Sequence, residues 1–205
     1  IYVIPIHTKI SSSYNTWNMI KEDYPKICLL PTTEFGVGVK WDLEHLIELA
    51  KKNELTDQVA MDYMANSYKH KAAILFVYDL TQLAKGGRIS NFKAALAKLF
   101  KMKIVISADD KGLNFLDKSA SATKCIAKSF EYLKERDPAF DPKNVIRLGF
   151  MHSATDPENK NVSEFIAAIK DELKEANYKE EKTIFPVIYM AHTGGDMFAF
   201  VVEYK

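Results

Sequence analysis

The sequence predicts an α/β protein of two lobes, a parallel-sheet β/α lobe whose start is missing and a mixed-sheet α/β lobe after it. Three observations carry this. Short apolar runs alternate with stretches of helical periodicity through the first third of the chain. Residues 103–108 and 113–117, joined by Asp109-Asp110-Lys111-Gly112, read as a hairpin, a connection that only antiparallel neighbours make. Ile1 stands directly in a strand, with no polar lead-in, so earlier strands are expected beyond it.

Residues 1–6 read as a buried strand and 7–13 as a polar loop. A helix follows over 13–24, for which Ser11, Ser12 and Ser13 are all suitable N-caps. Then come a strand at 27–30, a loop at 31–38, and a helix at 41–51 with Leu43, Leu46, Ile47 and Ala50 on one face. A helix at 56–68 leads into the continuous apolar strand 73–78, which places the lobes at 1–72 and 73–205. Phe92, Leu96, Leu99 and Phe100 predict a helix over 91–100. Beyond the hairpin, Ala122, Cys125, Ile126, Phe130 and Leu133 mark a helix over 120–134, and a proline-bearing loop at 137–142 precedes a strand at 145–151. A capping box of Asn161 with Glu164 opens a helix over 162–173, and strands at 183–191 and 197–202 close the chain.

With 28 basic and 27 acidic residues spread along the chain, the net charge of +1 gives no electrostatic footprint for nucleic acid or an anionic membrane. The apolar runs are strand-sized, well short of the about 20 residues that a bilayer span needs. Cys28 and Cys125 fall in apolar segments, without histidines at metal-ligand spacing, and read as buried free thiols. No signal peptide is visible, and a cytoplasmic location is expected.

No phosphate loop occurs, and Phe35-Gly36-Val37-Gly38-Val39-Lys40 lacks the third glycine of a dinucleotide fingerprint. His7, His45, His70, His152 and His192 never pair at the spacing of a helical zinc site, and no nucleophile elbow surrounds Ser11. Three polar clusters do stand just beyond strand ends, where open α/β sheets bind ligands: residues 7–13, 86–90 and 192–195. Each alone reads as turn chemistry. Together they suit one oxyanion. Gly86 and Gly87 leave backbone amides uncovered, Arg88 adds a planar five-donor fork in a chain with only three arginines, and no obvious general base stands among them.

In this order and separation the clusters resemble the DegV family of bacterial fatty-acid-binding proteins. The resemblance is carried by Ile4 to Tyr14, similar to the family's strand followed by Ser-Ser-Lys-Leu-Ser-Gly-Thr-Tyr, by Phe76 to Asp79 and Leu83 to Ser90, and by His192-Thr193-Gly194-Gly195, similar to His-Thr-Gly-Pro-Gly. It implies two lobes around a long-chain fatty acid, no cofactor or metal, and a separate fatty acid kinase as partner. Ser11 matches the serine that holds the carboxylate. Arg88 and His192 match polar positions near the head group, with Ser12 and Thr193 beside them. Ser12-Ser13 replaces the family's Gly-Thr, Gly195-Asp196 replaces Pro-Gly, and the family's opening Thr-Ser-x-Pro loop has no counterpart. The alternative is a small-molecule kinase or hydrolase with His192 or His7 as base.

Overall fold

In the computed structural model, which describes residues 1–78, 81–85, 87, 102–153, 160–194 and 197–205, Pro5 and Pro31 confine the first sheet to two short strands. β1 (Tyr2–Val3) and β2 (Cys28–Leu29) run parallel, as the sequence predicts; the Cys28 amide donates to the Ile1 carbonyl at 2.8 Å and the Leu30 amide to that of Val3 at 2.9 Å. Both strands are shorter than expected because proline has no N–H to offer a ladder. α1 (Ser13–Ile20), α2 (Val37–Lys51) and α3 (Asp57–Ser67) complete this part, where Leu30, Leu46, Ala60 and Met64 close a small core. α2 begins four residues before the expected 41. Gly36, at φ +52°, turns the chain into it, and Gly38 lies in its first turn instead of in a loop.

The second sheet comprises β3 (Lys71–Val77), β4 (Lys103–Asp109), β5 (Gly112–Ser119), β6 (Val145–His152), β7 (Lys179–Ile184) and β8 (Met197–Tyr204). Their order is β5-β4-β3-β8-β6-β7, antiparallel throughout except for the parallel pair β6–β7, so the sheet is mixed as predicted. The hairpin β4–β5 turns where expected, with Gly112 at φ +104°. The strand expected at 183–191 is a correction. β7 ends at Ile184, and Val187–Thr193 is a helix, α7 after the elements named below. Val187, Ile188 and Tyr189 have the composition of a strand, but Pro186 cannot extend a ladder and its fixed φ starts a helix. A short helix, α4 (Thr81–Lys85), precedes the glycine turn and was not signalled by periodicity. The remaining helices are α5 (Ala122–Arg136) and α6 (Lys160–Glu172). The helix expected at 91–100, together with Gly86, Arg88, Ser90 and the Asn161 side chain of the capping box, lies outside the described residues.

Alternation along the strands gives the sheet two unlike faces. Phe76, Phe150, Phe198 and Phe200 point to one side, against Ile126 and Phe130 of α5 and Phe165 and Ile169 of α6; the Phe76 and Phe165 rings lie 4.2 Å apart. The opposite side carries Ala73, Leu75, Val77, Ala199 and Val201, and receives Phe35, Val37 and Trp41 together with Leu83 and Phe185. α2 rests on the β6 backbone, for a Cβ at Gly149 would stand 2.4 Å from Val37 Cγ1. Arg147 fastens the contact. Its guanidinium lies 4.5 Å from the centre of the Trp41 ring and donates to Glu44 at 2.6 Å and Glu181 at 2.8 Å. Burial alone would raise the Glu181 carboxyl, yet hydrogen bonds from Lys40 and Arg147 hold it down to about 2.

A second tie joins the loop after β1 to the hairpin. The buried His7 accepts the Lys9 amide at Nδ1, 3.0 Å away, so its proton sits on Nε2 and is donated to the Asp109 carbonyl at 2.7 Å. The Asp109 carboxylate accepts from Ser107, Lys111, Asn114 and Tyr132, which fixes the turn to which His7 is bound. His7→Ala strands the Asp109 carbonyl and the Lys9 amide and leaves a hole. A loss of about 2–4 kcal/mol is expected, read as a lower urea midpoint at constant m-value; an unmoved midpoint would show that the loop is held by other contacts.

Glu34 is buried in the loop before α2, where the charges of Lys71 and Arg136 favour its ionised form and those of Asp42 and Glu203 oppose it. Burial pushes its carboxyl up from 4.5 to about 7, against the pull of Lys71. A carboxyl raised in the folded state makes the fold bind more protons than the unfolded chain, so stability falls as pH rises between those two values and is level above them. Glu34→Gln removes this dependence, on the order of 3 kcal/mol. Thermal melting should favour the variant at pH 8 and show no difference near pH 5; parallel curves at both pH values would refute it.

Candidate functional site

The His7 carbonyl accepts the amides of Ile10 and Ser11 at 2.9 and 3.1 Å, closing a turn that brings Ser11 to the same cavity as Leu75, Ile106 and Leu113 of the sheet. There the turn meets α7, and the two cover the cavity, which measures about 100 Å³. Its polar lining is Ser11, His192 and Thr193; Ile6, Ile10, Leu75, Leu83, Ile106 and Leu113 make most of the rest. Ser11 Oγ accepts the Ser13 amide at 3.2 Å, which engages a lone pair and leaves the hydroxyl proton available. On α7, Tyr189, His192 and Thr193 share one face by their i, i+3 and i+4 spacing. His192 is half-buried, lines the cavity, and has no hydrogen-bond partner among the described residues, so its ring nitrogens are available to a ligand. Thr193 differs. Its buried hydroxyl donates to the Tyr189 carbonyl at 2.9 Å and lies 2.7 Å from Met197 Sδ, so its proton is already engaged.

The first and third polar clusters therefore converge, through residues 181 positions apart in the chain, as Ser11 and His192 line one cavity. Ser12 does not join them. It is exposed at the N-cap of α1, forms no side-chain cap, and is absent from the lining. Arg88 lies outside the described residues. His7, considered as a base, has both ring nitrogens engaged in holding the loop. An apolar wall with two residues able to donate suits an amphipathic anion, because hydrogen bonds to a charge strengthen where water is excluded.

Sequence reasoning missed Phe35, Leu83, Ile188 and Tyr189, which also line the cavity. Phe35 lay in a stretch read as loop, and Ile188 and Tyr189 in one read as strand. One signal pointed to two of them: Pro186 as a helix start, which puts Ile188 and Tyr189 on a helix. Among the described residues, no group of three or more His, Cys, Asp or Glu could hold a metal ion, and no helix is long and apolar enough to cross a membrane. Cys28 and Cys125 are free thiols, and burial pushes that of Cys125 up to about 11.

A family model described as "Uncharacterised protein, DegV family" matches residues 1–205. A DegV domain-containing protein of Mycoplasma genitalium is 28% identical over 98% of this chain and 69% of its own length. One of Ureaplasma parvum is 25% identical over 100% of this chain and 93% of its own. Solved structures share the fold. A DegV family protein of Thermus thermophilus, described by its fatty acid binding, superposes with a TM-score of 0.80 at 16% identity, covering 100% of this chain and 70% of that one. The fatty acid kinase B3 protein of Streptococcus pneumoniae, loaded with linoleic acid, gives 0.74 at 18% identity, covering 100% and 72%. With its α/β order, its mixed six-stranded sheet and its full length matched, the chain belongs to the DegV family.

Proposed function

We propose that the protein binds a long-chain fatty acid and presents it to a separate fatty acid kinase, itself performing no chemistry. The carboxylate takes hydrogen bonds from Ser11 and His192, with Thr193 beside them and Arg88 as a further cation, and the acyl chain lies against the apolar lining. The lobes 1–72 and 73–205 each supply one side of the head-group site. One observation carries this reading: Ser11 and His192, from opposite ends of the chain, face the same cavity, whose wall is otherwise almost wholly apolar. The fatty acids bound by the Thermus and Streptococcus proteins of the same fold support it. Burial contributes about 0.8 kcal/mol per methylene, so two or three polar contacts suffice to orient a ligand that its tail holds. Native mass spectrometry of protein purified from a bacterial host should find a co-purified fatty acid. Protein that carries none and fails to bind a fluorescent fatty acid would overturn the reading.

Removing a hydrogen bond to a charged group costs about 1.5–3 kcal/mol, so Ser11→Ala should weaken fatty-acid affinity roughly tenfold to a hundredfold. Because Ser11 Oγ also accepts the Ser13 amide at the entry to α1, the variant should lose about 0.5–1 kcal/mol of stability as well. Unchanged affinity in a folded variant would remove Ser11 from the head-group site.

Kinase docking is placed on the surface around Lys85 and His192, next to the carboxylate. Lys85 is exposed at the end of α4. Lys85→Glu should leave lipid affinity intact and lower kinase-dependent formation of acyl-phosphate. Equal formation by variant and wild type would show that the kinase docks elsewhere.

A further inference from the structure

The cavity at Ser11 and His192 measures about 100 Å³, whereas sites for drug-sized ligands run to roughly 300–1,000 Å³. A long acyl chain needs more room. A second recess of about 480 Å³ lies next to it, with a predominantly apolar lining that includes Ile4, Val37, Leu43, Met151 and Ile184. The two linings share Ile6 and Tyr189. Tyr189 is an aromatic partition: its ring centre stands 4.5 Å from that of Phe35 and 6.1 Å from that of Phe185. The floor beside it is tightly fitted, since a Cβ at Gly36 would come within 2.1 Å of Met151 Sδ. The helix bearing the ring is less confined. Val187 and Ile188, its neighbours on α7, are 76% and 50% exposed.

We propose that Tyr189 sets the acyl-chain length this protein accepts, by dividing the head-group cavity from the second recess. The inference rests on the fatty-acid reading above. Chains that end short of the ring bind with Tyr189 in place. Longer chains must turn it aside, breaking its contacts with Phe35 and Phe185 and the hydrogen bond between its hydroxyl and the Gly36 backbone, before their last methylenes reach the recess. Tyr189 is a specificity-determining side chain and takes no part in holding the carboxylate.

The test is competition of saturated fatty acids of increasing length against a fluorescent fatty acid, on the full chain. Wild-type affinity should climb with each methylene and then reach a limit. Tyr189→Ala should carry the climb beyond that limit, by roughly fourfold per added methylene. Tyr189→Trp should move the limit to shorter chains, and Tyr189→Phe, which keeps the ring and loses only the bond to Gly36, should fall between wild type and the alanine variant. Should the alanine variant fail to fold, Tyr189→Leu carries the same expectation. Superimposable length profiles for wild type, the smaller variants and the Trp variant overturn the gate while leaving the fatty-acid reading standing. A wild-type protein that binds no chain of any length overturns both.

Discussion

The His7 imidazole accepts a hydrogen bond from the Lys9 amide and donates one to the Asp109 carbonyl, and that one ring fixes the loop bearing Ser11 against the hairpin β4–β5. The partner is itself immobilised. The Asp109 carboxylate is shared among two hydroxyls, a backbone amide and a side-chain amide, and the chain at Gly112 approaches so closely that a Cβ there would stand 3.2 Å from Lys9 Cβ. A serine on a free loop would lose conformational entropy each time it met a ligand. One whose turn is already closed by buried hydrogen bonds loses much less, which is the physical content of preorganisation.

The two faces of the second sheet are unlike because side chains alternate along its strands. Met197-Phe198-Ala199-Phe200-Val201 sends its phenylalanines to the face covered by α5 and α6, and its smaller side chains to the face covered by α2, α4 and α7. One face becomes a close-packed aromatic layer. On the other, Leu75, Ile106 and Leu113 of β3, β4 and β5 floor the cavity that α7 and the Ser11 turn cover. The Arg147 cluster and the bare backbone of Gly149 seat α2 on this same face, and Ile6, Ile10, Ser11 and Phe35, which precede α2, line the cavity together with residues that follow β3's start.

What the sequence disclosed was mostly local. The hairpin, β3 and α5 were legible because turn residues and apolar periods sit within a few positions of one another. Ser11 and His192 were legible as polar groups beyond strand ends, and they line one cavity. The role of His7 was hidden, because its partner Asp109 is 102 residues away and nothing in the neighbourhood of His7 announces it. α7 was hidden by conflict: β-branched and aromatic residues favour a strand, and the backbone constraint of Pro186 prevails over that preference. Thr193 shows a subtler limit. Its position beside His192 is visible in sequence, but the engagement of its proton by the Tyr189 carbonyl depends on the segment being a helix.

The placement of β8 reaches into how the molecule comes to be made. It is the last of the six strands in sequence, yet it lies between β3 and β6 at the centre of the sheet, hydrogen-bonded along both edges. Until residues 197–204 leave the ribosome, β3-β4-β5 and β6-β7 are two separate pieces, each with a bare apolar edge. Pairing β3 with β8 closes a loop of more than a hundred residues, the kind of distant contact that slows folding. A nascent or prematurely terminated chain thus exposes sticky strand edges, and quality control in the cell has a direct signal by which to recognise it.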